Sequence, residues 1–164
     1  MKKKSFLHKF SVVCCYLLIT TTIVVLPFFA HNTFANNIDF FSSEELQEYF
    51  NSGGNIKLLN NITLNTNIKV IADLTIDLNG HTLDLSDKTL SPYEASLTID
   101  DYSETQSGII TSTAPFAIIV GDSTHSGGLI INSGTIDCKG SYCVTNYGDL
   151  TINGGSINGD DFVV

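Results

Sequence analysis

Arginine is absent from the 164-residue chain, and acid is absent from its first 35 residues. Four of the 8 lysines (Lys2, Lys3, Lys4, Lys9) sit at the start, so residues 36–164 hold 4 lysines against 17 Asp and Glu, a balance of −13. A body so poor in cations would be repelled by a phosphate backbone, which tells against nucleic-acid binding. Proline is scarce, at 3, while 43% of the residues are hydrophobic and 13 are glycine. That composition belongs to an ordered chain rather than a disordered one. The length leaves room for one domain and none for a multidomain enzyme.

The acid-free opening has three parts. Met1 to Lys9 is basic, and Phe10 to Ala30 is apolar apart from Ser11 and Thr20–Thr22. His31-Asn32-Thr33-Phe34-Ala35 then leads into Asn36-Asn37, with small residues at Thr33 and Ala35 where a signal peptidase reads. Residues 1–35 are therefore expected to be a secretory signal peptide, cleaved between Ala35 and Asn36. The apolar run is also long enough to span a bilayer, so an uncleaved signal anchor is the rival. Cys14-Cys15 does not make a lipoprotein signal, because Val13 rather than a small residue precedes it and both cysteines lie inside the run. Two cysteines remain, Cys138 and Cys143. In an oxidising compartment they would close a small disulfide loop, or else stay as two packed thiols; the sequence leaves both open. No second Cys or His pair with ligand spacing stands nearby, which tells against zinc.

FFSSEELQEYFNSGG, from Phe40, reads as a short helix. Ser42 and Glu45 have the form of a capping box, Leu46, Tyr49 and Phe50 share one face, and Gly53-Gly54 stops the helix. Residues 36–54 are expected to cap whatever follows. After Gly54 helical periodicity is gone, and the chain aligns on itself instead. Leu74-Thr75-Ile76-Asp77, Leu97-Thr98-Ile99-Asp100, Leu129-Ile130-Ile131-Asn132 and Leu150-Thr151-Ile152-Asn153 repeat one strand type, at intervals of 23, 32 and 21. A second strand follows each, at Thr82–Leu85, Gly108–Thr111, Gly134–Asp137 and Gly155–Asn158. A third is visible at Ala117–Val120, Cys143–Asn146 and Phe162–Val164. Triplets of short strands in constant order, without crossover helices, predict a solenoid of parallel sheets over residues 55–164. Aliphatic side chains alternating with Thr and Asn would face inward, with Gly and Asn at the corners supplying positive φ. An antiparallel sandwich would not repeat one triplet in one order.

The SSEELQEYF helix, GGNIKLLNNITLNTNIKV, ADLTIDLNGHTLDL and the LTINGGSI turns resemble pectate-lyase-like right-handed parallel β-helix domains. The likeness covers roughly residues 40–164 and is similar to domains of secreted and wall-attached surface proteins of Gram-positive bacteria, adhesins among them. It implies an all-β, right-handed parallel β-helix with a short N-terminal capping helix. It does not fix an activity, since lyases, hydrolases and adhesins share such turns.

Lyases of this kind pair a basic side chain, commonly Arg, with acids that hold Ca²⁺. Only Lys57, Lys69, Lys88 and Lys139 are left for that role; Lys69 or Lys88 could act as a base if its pKa were lowered. Glycosidases need paired carboxylates, for which Asp100-Asp101 and Asp160-Asp161 are the candidates. The polygalacturonase pattern adds a Gly-His-Gly and an Arg segment, whereas here Gly80-His81 runs into Thr82 ahead of the Asp pair. Both Asp pairs are therefore expected to be solvated turn acids. Asp122, Ser123 and His125 form a triad on paper only, and His81 and His125 are expected to fill loops. Asp73, Asp77, Asp122 and Asp137 offer oxygen for Ca²⁺ without the repeat of a calcium roll. The reading is therefore a non-enzymatic, exported surface module for adhesion or as a stalk. No catalytic or metal residues are assigned, and no cofactor beyond that Ca²⁺. Its expected partners are surface glycans, host proteins or another copy through an open solenoid end, with the membrane touched only by the signal segment. The alternatives are a polysaccharide lyase or glycoside hydrolase of the same fold, a fragment of one, or a passive spacer. The stop at Phe162-Val163-Val164, inside a third strand, predicts truncation, marginal stability and end-to-end association.

Overall fold

The computed structural model describes residues 39–40, 43–139, 142–159 and 161–163. The signal segment, its cleavage point at Ala35 and Asn36, Cys14-Cys15, Ser42 of the capping box and Asp160 lie outside them.

The described chain is a right-handed parallel β-helix. Its first sheet is built from β1 (Asp39–Phe40), β2 (Gly54–Leu58), β5 (Leu74–Asp77), β8 (Ser96–Asp100), β11 (Gly128–Ile131) and β14 (Asp149–Ile152). The second comprises β3 (Ile62–Thr63), β6 (Thr82–Asp84), β9 (Ile109–Ser112), β12 (Thr135–Cys138) and β15 (Ser156–Asn158). The third comprises β4 (Ile68–Val70), β7 (Leu90–Pro92), β10 (Phe116–Val120), β13 (Tyr142–Asn146) and β16 (Asp161–Val163). Each coil visits the three sheets in turn, and neighbouring strands pair in parallel. This excludes the antiparallel sandwich.

Register follows the repeat alignment residue for residue. Leu74 pairs with Leu97, Leu97 with Leu129 and Leu129 with Leu150. Ile56, Ile76, Ile99, Ile131 and Ile152 make a parallel column in the same sheet. In the second sheet Leu83, Ile110, Ile136 and Ile157 stack likewise. Apart from Ile152, which is 53% exposed, these side chains fill or pack against one continuous core, and Thr75, Thr98, Ile130 and Thr151 line up outside it. The hydrophobic gain is roughly 1.5–3 kcal/mol for each fully buried Ile or Leu. A one-residue slip would turn a whole column outward, so the alternation fixes the register.

Two stretches escape the sequence alignment: the whole first coil, and β7, whose Pro92 lacks an N–H for the ladder. Both are strands of the solenoid all the same: the first coil pairs in parallel with the second, and the Pro92 carbonyl still accepts from Gly121 at 2.9 Å. The expected helix is α1 (Ser43–Ser52), with Leu46 and Phe50 in the core and Tyr49 packed against it. Gly53, at φ 71°, ends it and donates to the Tyr49 carbonyl at 3.1 Å.

Corner side chains complete the ladder between coils. Asn61 Oδ1 accepts from Thr82 N, Asn67 Oδ1 from Thr89 N and Asp73 Oδ1 from Ser96 N, each at 2.8–3.0 Å. The Asn79-Gly80 corner is left-handed at both residues, φ 48° and 77°, as its Asn-Gly sequence predicts.

Candidate functional site

Asp100 and Asp101 are not solvated. They are 4% and 1% exposed, because the excursion from Tyr102 to Gly108 folds over them and the next coil covers them from above. Asn132 Nδ2 of that coil donates to Asp100 Oδ2 at 3.4 Å, and Asp101 N donates to Ser133 Oγ at 2.6 Å. The Asp101 carboxylate gathers backbone N–H groups from three places: Gly80 at 2.9 Å, Ser103 at 3.1 Å and Gly108. Burial pushes its pKa up, but hydrogen bonds from Ser103, Gly108 and Gly80 outweigh that and hold it below the usual carboxylate range. Its oxygens are occupied in tying the second coil to the third. The expectation of solvent-facing turn acids therefore fails at this pair, for a reason local spacing does not carry: Gly80 lies 21 residues upstream in sequence.

The carboxylates named for Ca²⁺ are kept apart by similar local work. Asp73 accepts from Ser96, while Asp77 accepts from Asn79 and Tyr102 and faces Lys57 at 3.8 Å. Asp122 serves its own loop, and Asp137 is half-buried on β12. Among the described residues no three His, Cys, Asp or Glu converge as ligands would. The lysines are dispersed too. Lys57 pairs with Asp77, Lys88 pairs with Asp87 at 2.7 Å, Lys139 is exposed beyond β12, and Lys69 meets an aromatic ring.

That meeting happens at the downstream edge of the third sheet, where three successive coils contribute. Lys69 points outward from β4, and its Nζ lies 3.8 Å from the centre of the Tyr93 ring. Tyr93 and Glu94 follow β7, and the Asp122–Gly127 loop follows β10. Tyr93 lies tilted against His125, with ring centres 4.4 Å apart and an interplanar angle of 31°. Three oxygens converge on His125 Nδ1: Tyr93 Oη at 2.5 Å, Thr124 Oγ1 at 2.6 Å and Asp122 Oδ1 at 3.1 Å. Nε2 faces Glu94 at 4.0 Å. Of the three residues that form a triad on paper only, Asp122 does contact His125, but the hydroxyls that reach the ring belong to Tyr93 and Thr124, while Ser123 is exposed. His81, half-buried, sits in the corner after β5, where its backbone donates to Leu78 and accepts from Ile109.

Electrostatics sort the roles. The backbone N–H and then the hydroxyl of Thr124 drive Asp122 well below the usual carboxylate range, against a smaller opposing effect of burial. Loss of hydration, then the charges of Asp122 and Glu94, push the Tyr93 phenol upward. At neutral pH Tyr93 is therefore a hydrogen-bond donor and a poor base. Further upstream on the same outer face, Phe116 and Tyr142 stack with centres 5.3 Å apart and planes at 13°. Ser91 and Ile119, half-exposed, occupy the middle of the face. Its aromatic ends are joined by a short sheet with mixed polar and apolar groups. Cys138 and Cys143, on the inner side, are both buried thiols.

No protein-family model, curated protein or solved structure matches the chain.

Proposed function

We propose that this chain is an exported cell-surface β-helix module, non-enzymatic, which takes a glycan on the outer face of its third sheet and serves adhesion or a stalk. The observation that carries the reading is the two ring pairs, the tilted Tyr93–His125 and the stacked Phe116–Tyr142, at opposite ends of one outward sheet face. Sugar rings present apolar C–H faces to aromatic rings and hydroxyls to polar neighbours, and sites of this mixed kind fix a ligand by a few convergent polar groups. Lys69, Glu94, Thr124 and His125 are such groups. A balance of −13 over residues 36–164 favours a neutral glycan over a polyuronate. The acid-free leader, basic and then apolar, supports export.

The competing reading is a lyase or glycosidase of pectate-lyase-like kind. The 3.1 Å contact of Asp122 with His125 favours it, being the orienting half of an acid–base relay. Against it stand the upward-shifted Tyr93 phenol and the commitment of Asp101 to backbone donors. The test is binding of the chain to a panel of wall and host glycans, with product release assayed in the same wells with and without Ca²⁺. Saturable binding that Tyr93→Ala and Tyr142→Ala each weaken, without products, is the expected outcome. Unsaturated or reducing-end products would establish the enzyme instead.

A further inference from the structure

We propose that Cys138 and Cys143 are a redox pair, which a small-molecule disulfide converts into an intrachain cystine stapling the corner between the second and third sheets. Cys138 ends β12 and Cys143 lies in β13, and both side chains turn into the core. The same corner one coil earlier shows why they meet. Cys138 pairs with Ser112, and the flanking pairs Phe116–Tyr142 and Ile118–Val144 set Cys143 beside Ala117. Ser112 and Ala117 are buried as well, so the five-residue step around this corner turns two side chains inward in both coils. In the fourth coil these two are thiols, and they are in hydrogen-bond contact with each other.

The exchange balances without a metal or flavin. The sulfur of one cysteine, as thiolate, attacks the oxidant's S–S bond and expels one small thiol, leaving a mixed disulfide. The second cysteine displaces the other small thiol. Two protein S–H bonds are lost and one S–S bond forms, while the two released thiols carry away the electron pair and both protons. Burial pushes the Cys138 thiol upward and withholds its thiolate, so the folded protein reacts slowly and the corner must open first. Oxidation also removes the proton that Cys143 Sγ donates to the Asn158 carbonyl at 3.1 Å. The staple in the fourth coil therefore forms at the expense of a bond to the fifth.

Because the chain has no arginine, trypsin gives a clean readout. Lys139 falls between the two cysteines, and cleavage there puts Cys138 in the peptide 89–139 and Cys143 in 140–164, away from Cys14 and Cys15. The full chain is incubated with cystine, both folded and during refolding from denaturant, alkylated, digested and weighed without reductant. The expected result is the two peptides joined, lighter by two hydrogens than their sum, from material that runs as a monomer, and separated by a reducing agent. Cys138→Ser, which installs the residue that the preceding coil already carries at this place, is expected to abolish the joined species. Separately alkylated peptides after both treatments, or joining found only in covalent dimers, would overturn the proposal.

Discussion

Asp101 and Asp122 do the same chemistry in two loops of one solenoid, with opposite consequences. Each carboxylate sits after a strand, collects N–H groups and titrates below its ordinary range. Asp101 draws its donors from 21 residues before, 2 after and 7 after, and so joins two coils from a buried position. Asp122 takes its backbone N–H donors from Thr124 and His125, within three residues, at a half-buried position. One carboxylate is consumed by the fold. The other shapes only its own loop and leaves the His125 ring to meet Tyr93 from the coil below. The sequence distance of the donors, rather than the kind of bond, decides which acid supports the solenoid and which arms its surface.

The largest test of that contrast is Asp101→Ala. It strands N–H donors of Gly80, Ser103 and Gly108 under the next coil, and a loss on the order of 3 kcal/mol is expected by thermal or urea melting. Equal melting of Asp101→Ala and Asp122→Ala would break the comparison. Gly108→Ala probes the same loop by shape: its Cβ would stand 2.5 Å from Leu78 Cβ and 2.7 Å from Asp101 Oδ2. A cost of about 1–3 kcal/mol is expected, as for overpacking of a filled core.

Acid sharpens the contrast further. The folded pKa values of both carboxylates are depressed, so their stabilisation is fully present above the unfolded value of about 3.9 and fades as pH falls through the folded one. Melting of the parent chain should therefore fall as the pH drops below about 4. The Asp101→Asn variant, already lacking that charge, should show a shallower fall than the parent. Asp122 is the more depressed of the two, but its carboxylate is screened by solvent, so Asp122→Asn should follow the parent more closely. Parallel curves for all three would assign the acid response to other carboxylates.

The fold was legible because the Leu and Ile columns repeat in sequence as they stack in space. Leu74, Leu97, Leu129 and Leu150 could be aligned by eye and pair as aligned. Within residues 55–164 the individual strands of the first coil, and β7, were not legible. A strand such as Ile62–Thr63 carries a single inward side chain and no alternation, and Leu90–Pro92 is hidden by its proline. That omission also hid the site. Tyr93 matters because it follows a third strand as the Asp122–Gly127 loop follows the next one, and without β7 there was no reason to set it beside His125, 32 residues on. Lys69 stands out in the sequence only as a cation, and its place beside Tyr93 depends on β7 in the same way. Burial of Asp100 and Asp101 was equally out of reach, since it depends on Asn132 and Ser133 one coil above.

The smallest expected effect is the most diagnostic for the surface loop. Tyr93→Phe removes the hydroxyl at His125 Nδ1 and keeps the ring beneath Lys69, while Tyr93→Ala removes both. Neither ring nor hydroxyl holds the core, so both variants should melt with the parent. If the site works as a glycan platform, stacking on the ring dominates and the hydroxyl only orients His125. The Phe variant should then lose a few-fold in affinity for whichever panel glycan the parent retains, and the Ala variant at least tenfold. Equal losses would move the weight from the ring to the Tyr93–His125 hydrogen bond, making the loop that Asp122 shapes the recognition element. A drop in melting temperature for Tyr93→Phe would instead make Tyr93 a structural brace like Asp101, and the division between fold-bearing and surface-bearing loops would have to be redrawn along the third sheet.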